Sequence, residues 1–375
     1  MRDENAQKLL AKVMGWTDIR LTDAESVTEN VDNLQLLANY KYDRYQRYGH
    51  GKRFIESLAL WLQQFKGEEH KKLALEFIKN ELIYFSEEEM THLVRVSYRD
   101  FVLRERTRLV AEEEFIPSYK INKIRSHKRF VELGRKSLYL GLSDGARTNE
   151  FRRSGNDEIS NEQIWQAYEL GDEKARDMIK DLNQVLGTDG DSERFTHVWL
   201  LDDFSGSGNT YIRYDDDDKK FKGKIPKIYD RLYRGDLINR DYFEVFLLLY
   251  VATKQAVDHI NYWSYQYALY KGYKPIQIRV VYNLDENAVV RNSINPKSKE
   301  FMEVIVNNEE YFDEKANDKH TKVGGTNDVK LGFADCCLPL VLSHNTPNNS
   351  LFILWAYDHF KFRGLFPRVS RHKEF

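Results

Sequence analysis

Residues 198–210 read Val-Trp-Leu-Leu-Asp-Asp-Phe-Ser-Gly-Ser-Gly-Asn-Thr. Four apolar residues, two acids and then glycines set between hydroxyls describe a buried strand that stops in a ligand-binding loop. Gly206 and Gly208 let the backbone approach a ligand and take positive φ. Ser205, Ser207 and Thr210, with amide groups at the start of a following helix, would form an anion site. No lysine follows Gly208, which excludes a P-loop, and two glycines without a third fail the dinucleotide fingerprint. The acids Asp202 and Asp203 set the loop apart. Carboxylates beside a phosphate are costly unless they bind hydroxyls or a metal. A sugar phosphate suits both parts, its phosphate on the loop and its hydroxyls on the acids.

Similar apolar runs flank this stretch. Residues 138–142, 243–251, 276–282, 338–342 and 351–355 read as strands, and helical patterns separate several of them. Such alternation predicts a mostly parallel sheet with helices on both faces. The front of the chain reads differently. Helical spacing runs through 30–48, 54–65 and 73–78, and Ser86 with Glu89 forms a capping box that opens a long helix toward Glu113. Pro117 ends that stretch, so the composition divides the chain into a helical region, 1–115, and an α/β region, 116–375.

Bulk properties narrow the functional classes. The 375 residues are 41% hydrophobic, enough for sizeable cores, and 31% charged with a net charge of only −2. No global field draws the protein to nucleic acid or membrane, so any such affinity must be local. No apolar run is long enough to span a bilayer, and the first residues lack a signal-peptide apolar region, so a cytoplasmic location is expected. The two cysteines, Cys336 and Cys337, are adjacent and fit neither a zinc spacing nor a disulfide framework. The acidic run 215–218 reads as a solvated insertion.

Two further loops carry chemistry-bearing residues. After the strand at 138–142 come Ser143, Asp144, Gly145 and Arg147, then Arg152 and Arg153, and a guanidinium can engage phosphate oxygens bidentately. Between the runs 338–342 and 351–355 lie His344, Asn345, Asn348 and Asn349, donors and acceptors suited to a polar substrate, although a plain Asn/Pro turn explains the same composition.

The acids, glycines and hydroxyls of 198–210 resemble the phosphoribosyl-diphosphate loop of the phosphoribosyltransferases, with Phe204, Ser205 and Gly206 departing from the usual smaller or aliphatic residues. The resemblance implies an α/β, phosphoribosyltransferase-type fold, a mostly parallel sheet flanked by helices, with the all-α region N-terminal to it. It implies that Asp202 and Asp203 form the catalytic pair on the ribose hydroxyls. Ser205, Gly206, Ser207, Gly208, Asn209 and Thr210 would hold the 5′-phosphate. Ser143, Asp144, Gly145, Arg147, Arg152 and Arg153 would hold the diphosphate. Mg2+ would bridge substrate oxygens, with Asp202 and Asp203 only indirect ligands. Taken together, 141–153, 200–210 and 344–355 are similar to the phosphoribosyltransferase-like domains of bacterial conflict and antiphage defence systems, including retron operons. That similarity covers roughly 120–375. It implies an effector restrained by a partner of the same operon, such as a reverse transcriptase with its DNA–RNA product, and no membrane partner.

A second class of function stays open. Lys123, Arg125, Lys128 and Arg129 belong to a basic cluster that few acids interrupt, and tyrosines alternate with cations through 40–48. Cations neutralise phosphates and aromatics stack on bases. On this reading the chain is a catalytically inactive module of the same fold that binds nucleic acid or a protein partner. For 40–48 the plainer reading is a solvated helix face with tyrosines turned to the core.

Overall fold

The strand predicted at 198–201 runs further than its apolar part. In the computed structural model, which describes residues 3–16, 24–168, 171–188 and 192–368 (the side chains of 24–30 excepted), it spans His197–Ser205 and carries both acids. Four other strands join it: β1 Ser137–Gly141, β2 Ile164–Gln166, β3 being His197–Ser205 itself, β4 Glu244–Thr253 and β5 Gln277–Leu284. All pair in parallel in the order β2-β1-β3-β4-β5. The central strands are buried almost without interruption, as parallel strands covered on both faces must be. Their side chains join those of helices Asp172–Leu186, Lys224–Arg234 and Lys254–Lys271 in one core that includes Leu140, Leu200, Leu247, Met178, Ile228 and Ile260.

The order in which strands are added reverses between β1 and β3. From β1 the next strand is laid on one side, and from β3 the next two on the other. The loops after β1 and β3 therefore open side by side at the carboxyl ends of adjacent strands, where an open α/β sheet leaves a crevice for ligands.

The chain forms two compact units, Met90–Leu284 and a second made of Met1–Glu89 with Asp285–Phe375. The division that composition suggests at 115/116 thus falls inside the first of these. From Met90 its opening stretch is helical through Ser97, a π-helical segment Tyr98–Leu103 and Arg104–Glu113, and the capping box that starts the first of these helices, at Ser86 and Glu89, is formed in both directions.

In the other unit, two of the expected strands have different fates. Residues Leu340–Leu342 form a strand, but its parallel partner is Ile83–Phe85, in a two-stranded ladder separate from the main sheet. Residues 351–355 hold a short helix, Phe352–Trp355, and no strand. All four of its side chains are buried, and a short apolar run buried on every side looks the same in sequence whether it is helix or strand. Around it lies an aromatic core. Phe366 meets Tyr42, Tyr45, Tyr48, Phe54 and Tyr84 at centroid distances of 5.3–6.2 Å. Tyr42 and Tyr45 are therefore core residues, and the neighbouring cations serve the same unit: Arg47 donates to the carbonyl of His344 and Lys41 to that of Tyr84. Cys336 and Cys337 are free and buried, and burial pushes the Cys336 thiol up to about 12, which makes it a poor nucleophile. No helix among the described residues is long and apolar enough to cross a membrane.

Candidate functional site

Asp202 and Asp203, adjacent in sequence, point into different surroundings, because successive side chains of a strand face opposite sides of the sheet. Asp202 is 1% exposed, whereas Asp203 is half-buried. The Asp202 carboxylate accepts from the Ser143 hydroxyl, from the Tyr211 hydroxyl at 2.7 Å, from the Lys224 ammonium at 2.6 Å and from the Asp203 amide at 3.2 Å. Burial pushes its carboxyl above the ordinary range, while the Lys224 ammonium draws it back down. Burial also holds the Tyr211 phenol well above its usual value, so that group stays a donor. The Asp203 carboxylate accepts from the Phe204 amide at 2.9 Å and faces the loop that follows β1. There the backbone of Gly145 comes so close that a Cβ at this position would lie 2.2 Å from Asp203 Oδ2.

The phosphate-loop candidates lie directly beyond. Ser205, Gly206, Ser207 and Gly208 are buried, Asn209 is half-buried and Thr210 is exposed. Gly208 takes φ of +79°, and any side chain on it would meet the Ala256 carbonyl at 2.9 Å, so this position needs glycine twice over. Thr253, the last residue of β4, caps helix Lys254–Lys271 by accepting from the Ala256 amide at 3.0 Å, and its hydroxyl donates to the Gly206 carbonyl at 2.5 Å. The loop is thereby fastened to the positive end of an 18-residue helix. Among the described residues, the amides of Gly206, Ser207 and Gly208 donate to no backbone carbonyl. A set of adjacent buried amides is what an anion-binding loop requires.

The following helix differs from expectation. No helix begins at Thr210; a hairpin of Arg213–Asp215 and Lys220–Lys222 intervenes, and helix Lys224–Arg234 comes after it. The first amides of that helix are spent, Lys224 on the Thr210 carbonyl at 3.0 Å and Ile225 on that of Tyr211 at 2.9 Å. What this helix brings to the site is the Lys224 side chain. The acidic run closes the hairpin locally, with Lys222 bonded to Asp215 at 2.6 Å.

In the loop after β1, Asp144 accepts from the Tyr168 hydroxyl at 2.9 Å and Tyr250 donates to the Ala146 carbonyl at 2.7 Å. Arg147 adopts a left-handed conformation, φ 49° and ψ 43°, at the joint before helix Thr148–Ser154, and pairs with Glu150 at 3.4 Å. Arg152 and Arg153 lie in the last turn of that helix, Arg153 exposed. The structure therefore assembles Ser143, Asp144, Gly145 and Arg147 with Asp202 and Asp203.

The other candidates are not on these loops. His344, Asn345, Asn348 and Asn349 belong to the other compact unit. There Asn349 donates to the Phe333 carbonyl at 3.2 Å, Thr346 to that of Phe366 at 2.8 Å, and the Asn348 carbonyl accepts from the Phe333 amide at 2.7 Å. Lys123, Arg125 and Lys128 are exposed on Ile121–Arg125 and the start of Lys128–Arg135, while Arg129 is bonded to Glu113 at 2.6 Å and Glu132 at 3.2 Å.

Sequence reading missed Lys224, Tyr211 and Thr253. Thr253 was open to discovery, since a threonine closing an apolar run ahead of a helix marks an N-cap. Lys224 gave no such signal, because the hairpin puts it 22 residues from its partner.

Comparison with curated proteins and with solved structures gives no match. Comparison with protein families does: the PRTase-CE model matches residues 58–368, which extends the likeness well in front of residue 120. With a match over most of its length, a five-stranded parallel sheet flanked by helices and an acid-bearing loop at the sheet's reversal point, the chain belongs to the PRTase-CE family, a family of phosphoribosyltransferase-like domains.

Proposed function

We propose that the crevice between the β1 and β3 loops binds phosphoribosyl diphosphate, or a nucleotide of the same chemistry, for transfer or cleavage at the anomeric carbon. The observation that supports it most is the buried, amide-rich loop 205–208 lying beside a half-exposed acid at one sheet tip. Residues 205–210 would take the 5′-phosphate, Asp203 the ribose hydroxyls, and Gly145 with Arg147 the diphosphate, with Arg152 and Arg153 behind. Diphosphate would leave as the bond to the acceptor forms, so charge placement matters more than a covalent nucleophile.

Magnesium belongs to the same proposal. Among the described residues, no three His, Cys, Asp or Glu side chains are grouped to hold an ion by themselves. The ion would ride mainly on the ligand's oxygens and water, with Asp203 the nearby carboxylate, and would supply positive charge to the departing diphosphate. A cytoplasmic setting suits two free, buried thiols, and a role as a defence effector under an operon partner's control is part of the same reading.

The test is thermal unfolding with magnesium and phosphoribosyl diphosphate. Ligand at about 100 times its Kd adds about 2.7 kcal/mol to the state it binds, so the melting temperature should rise by several degrees in the parent and not in Asp203→Asn. An unmoved parent at millimolar ligand sinks the proposal.

One observation favours a second reading, a surface for nucleic acid. Lys123, Arg125 and Lys128 have no acidic partner among the described residues, and Phe115 and Tyr119 nearby in sequence are 93% and 78% exposed. Unpaired cations with exposed rings suit single strands. Fluorescence anisotropy at low salt should show a labelled single strand binding the parent, and Lys123→Ala/Lys128→Ala weakening it roughly tenfold with a shallower salt slope. Absence of binding at low salt removes this reading.

A further inference from the structure

Resting on the sugar-phosphate reading above, we infer that the two acids do different work: Asp203 meets the ligand, and Asp202 is a positioning residue that sets the diphosphate loop through Ser143.

Four observations carry this. Asp202 is 1% exposed, so no ligand hydroxyl reaches it without displacing protein donors. Four donors already converge on its two oxygens, from Ser143, Tyr211, Lys224 and the Asp203 amide. The three side-chain donors come from three chain segments, the loop after β1, the end of the phosphate loop and the helix Lys224–Arg234. Lastly, Ser143 stands two residues before Gly145, whose backbone lies against the Asp203 carboxylate.

The arrangement answers an electrostatic problem. Two ionised carboxylates beside a phosphate site would repel the ligand, whereas the Lys224 ammonium neutralises one of them inside the protein. What remains at the mouth is a single acid next to an anion-binding loop. The buried acid then acts as a clamp, holding the Ser143 hydroxyl and with it the loop's approach to Asp203.

The two acids can be separated with two probes, inorganic diphosphate for the loop after β1 and ribose 5-phosphate for the loop after β3. Isothermal titration at about 15 °C, with folding checked by circular dichroism, reads both on the full chain. Asp203→Asn should weaken ribose 5-phosphate at least tenfold. Asp202→Asn should weaken diphosphate about tenfold with less than a threefold effect on ribose 5-phosphate. Ser143→Ala should reproduce that selective loss, and the double variant should be no worse than either single one. Ser143→Ala also carries the test alone if Asp202→Asn does not fold. If Asp202→Asn or Ser143→Ala weakens ribose 5-phosphate as much as Asp203→Asn does, or if the losses of the double variant add, the inference is overturned while the site stands. A parent that binds neither probe overturns the sugar-phosphate reading itself.

Discussion

Replacing Lys224 with methionine should destabilise the unit spanning Met90–Leu284 more than any other single exposed-to-buried change near the site. Lys224 is partly exposed, but its partner is sealed in: Asp202 loses the ammonium bonded to it and keeps its burial. Removing one member of a buried pair costs on the order of 3–5 kcal/mol, because the charge left behind has no water to replace the lost ion. The midpoint of urea unfolding followed at pH 7 should fall accordingly, and Lys224→Met/Asp202→Asn should recover much of the loss. The pH dependence has a definite sign. Burial holds the folded pKa of Asp202 above its unfolded value, and loss of the ammonium raises it further. The folded variant therefore keeps a proton that the unfolded chain has released, so its stability falls as pH rises through that window. The gap between variant and parent should narrow as pH is lowered from about 8 to about 5. A gap that is constant or widens toward acid would mean that Lys224 matters through its stem and not its charge.

That network also marks the limit of what the sequence conveys. Strands β1, β3 and β4 announce themselves because central parallel strands are apolar on both faces, and the pattern depends on burial alone. The phosphate loop is legible for a local reason too, since Gly208 needs both positive φ and the absence of a Cβ. Lys224 is not legible, because no periodicity relates it to Asp202 and only the folded hairpin brings them together. The run 351–355 shows the opposite failure. Its composition is informative about burial and silent about backbone conformation, and packing of Phe352 against Phe312 and Phe360 accompanies a helix there. Residues 40–48 lie between these cases. Alternating tyrosines and cations fit a stacking platform as well as a core face, and Phe366, more than 300 residues on, decides for the core at Tyr42 and Tyr45.

Gly145 offers the sharpest separation of site from scaffold. A Cβ there would lie 2.2 Å from Asp203 Oδ2 and 2.5 Å from its Cγ, so the carboxylate must swing away. Its backbone does not take positive φ, so an alanine brings no conformational strain of its own. The side chain that must move is short, half-buried and at a loop, so the stability cost should stay near 1 kcal/mol. The cost to binding should be larger. A charge-assisted hydrogen bond contributes about 1.5–3 kcal/mol, which corresponds to roughly a 10- to 100-fold loss of affinity. Gly145→Ala should therefore keep a near-parent melting temperature and lose most of its response to phosphoribosyl diphosphate with magnesium, and Gly145→Val should lose it entirely. Gly171→Ala is the control, since a Cβ at that position meets nothing within 4 Å and should change neither quantity. Titration calorimetry on the three variants decides the matter. Parent-like affinity in Gly145→Val would remove Asp203 from the ligand's surroundings, because no position of its carboxylate seen here survives that side chain.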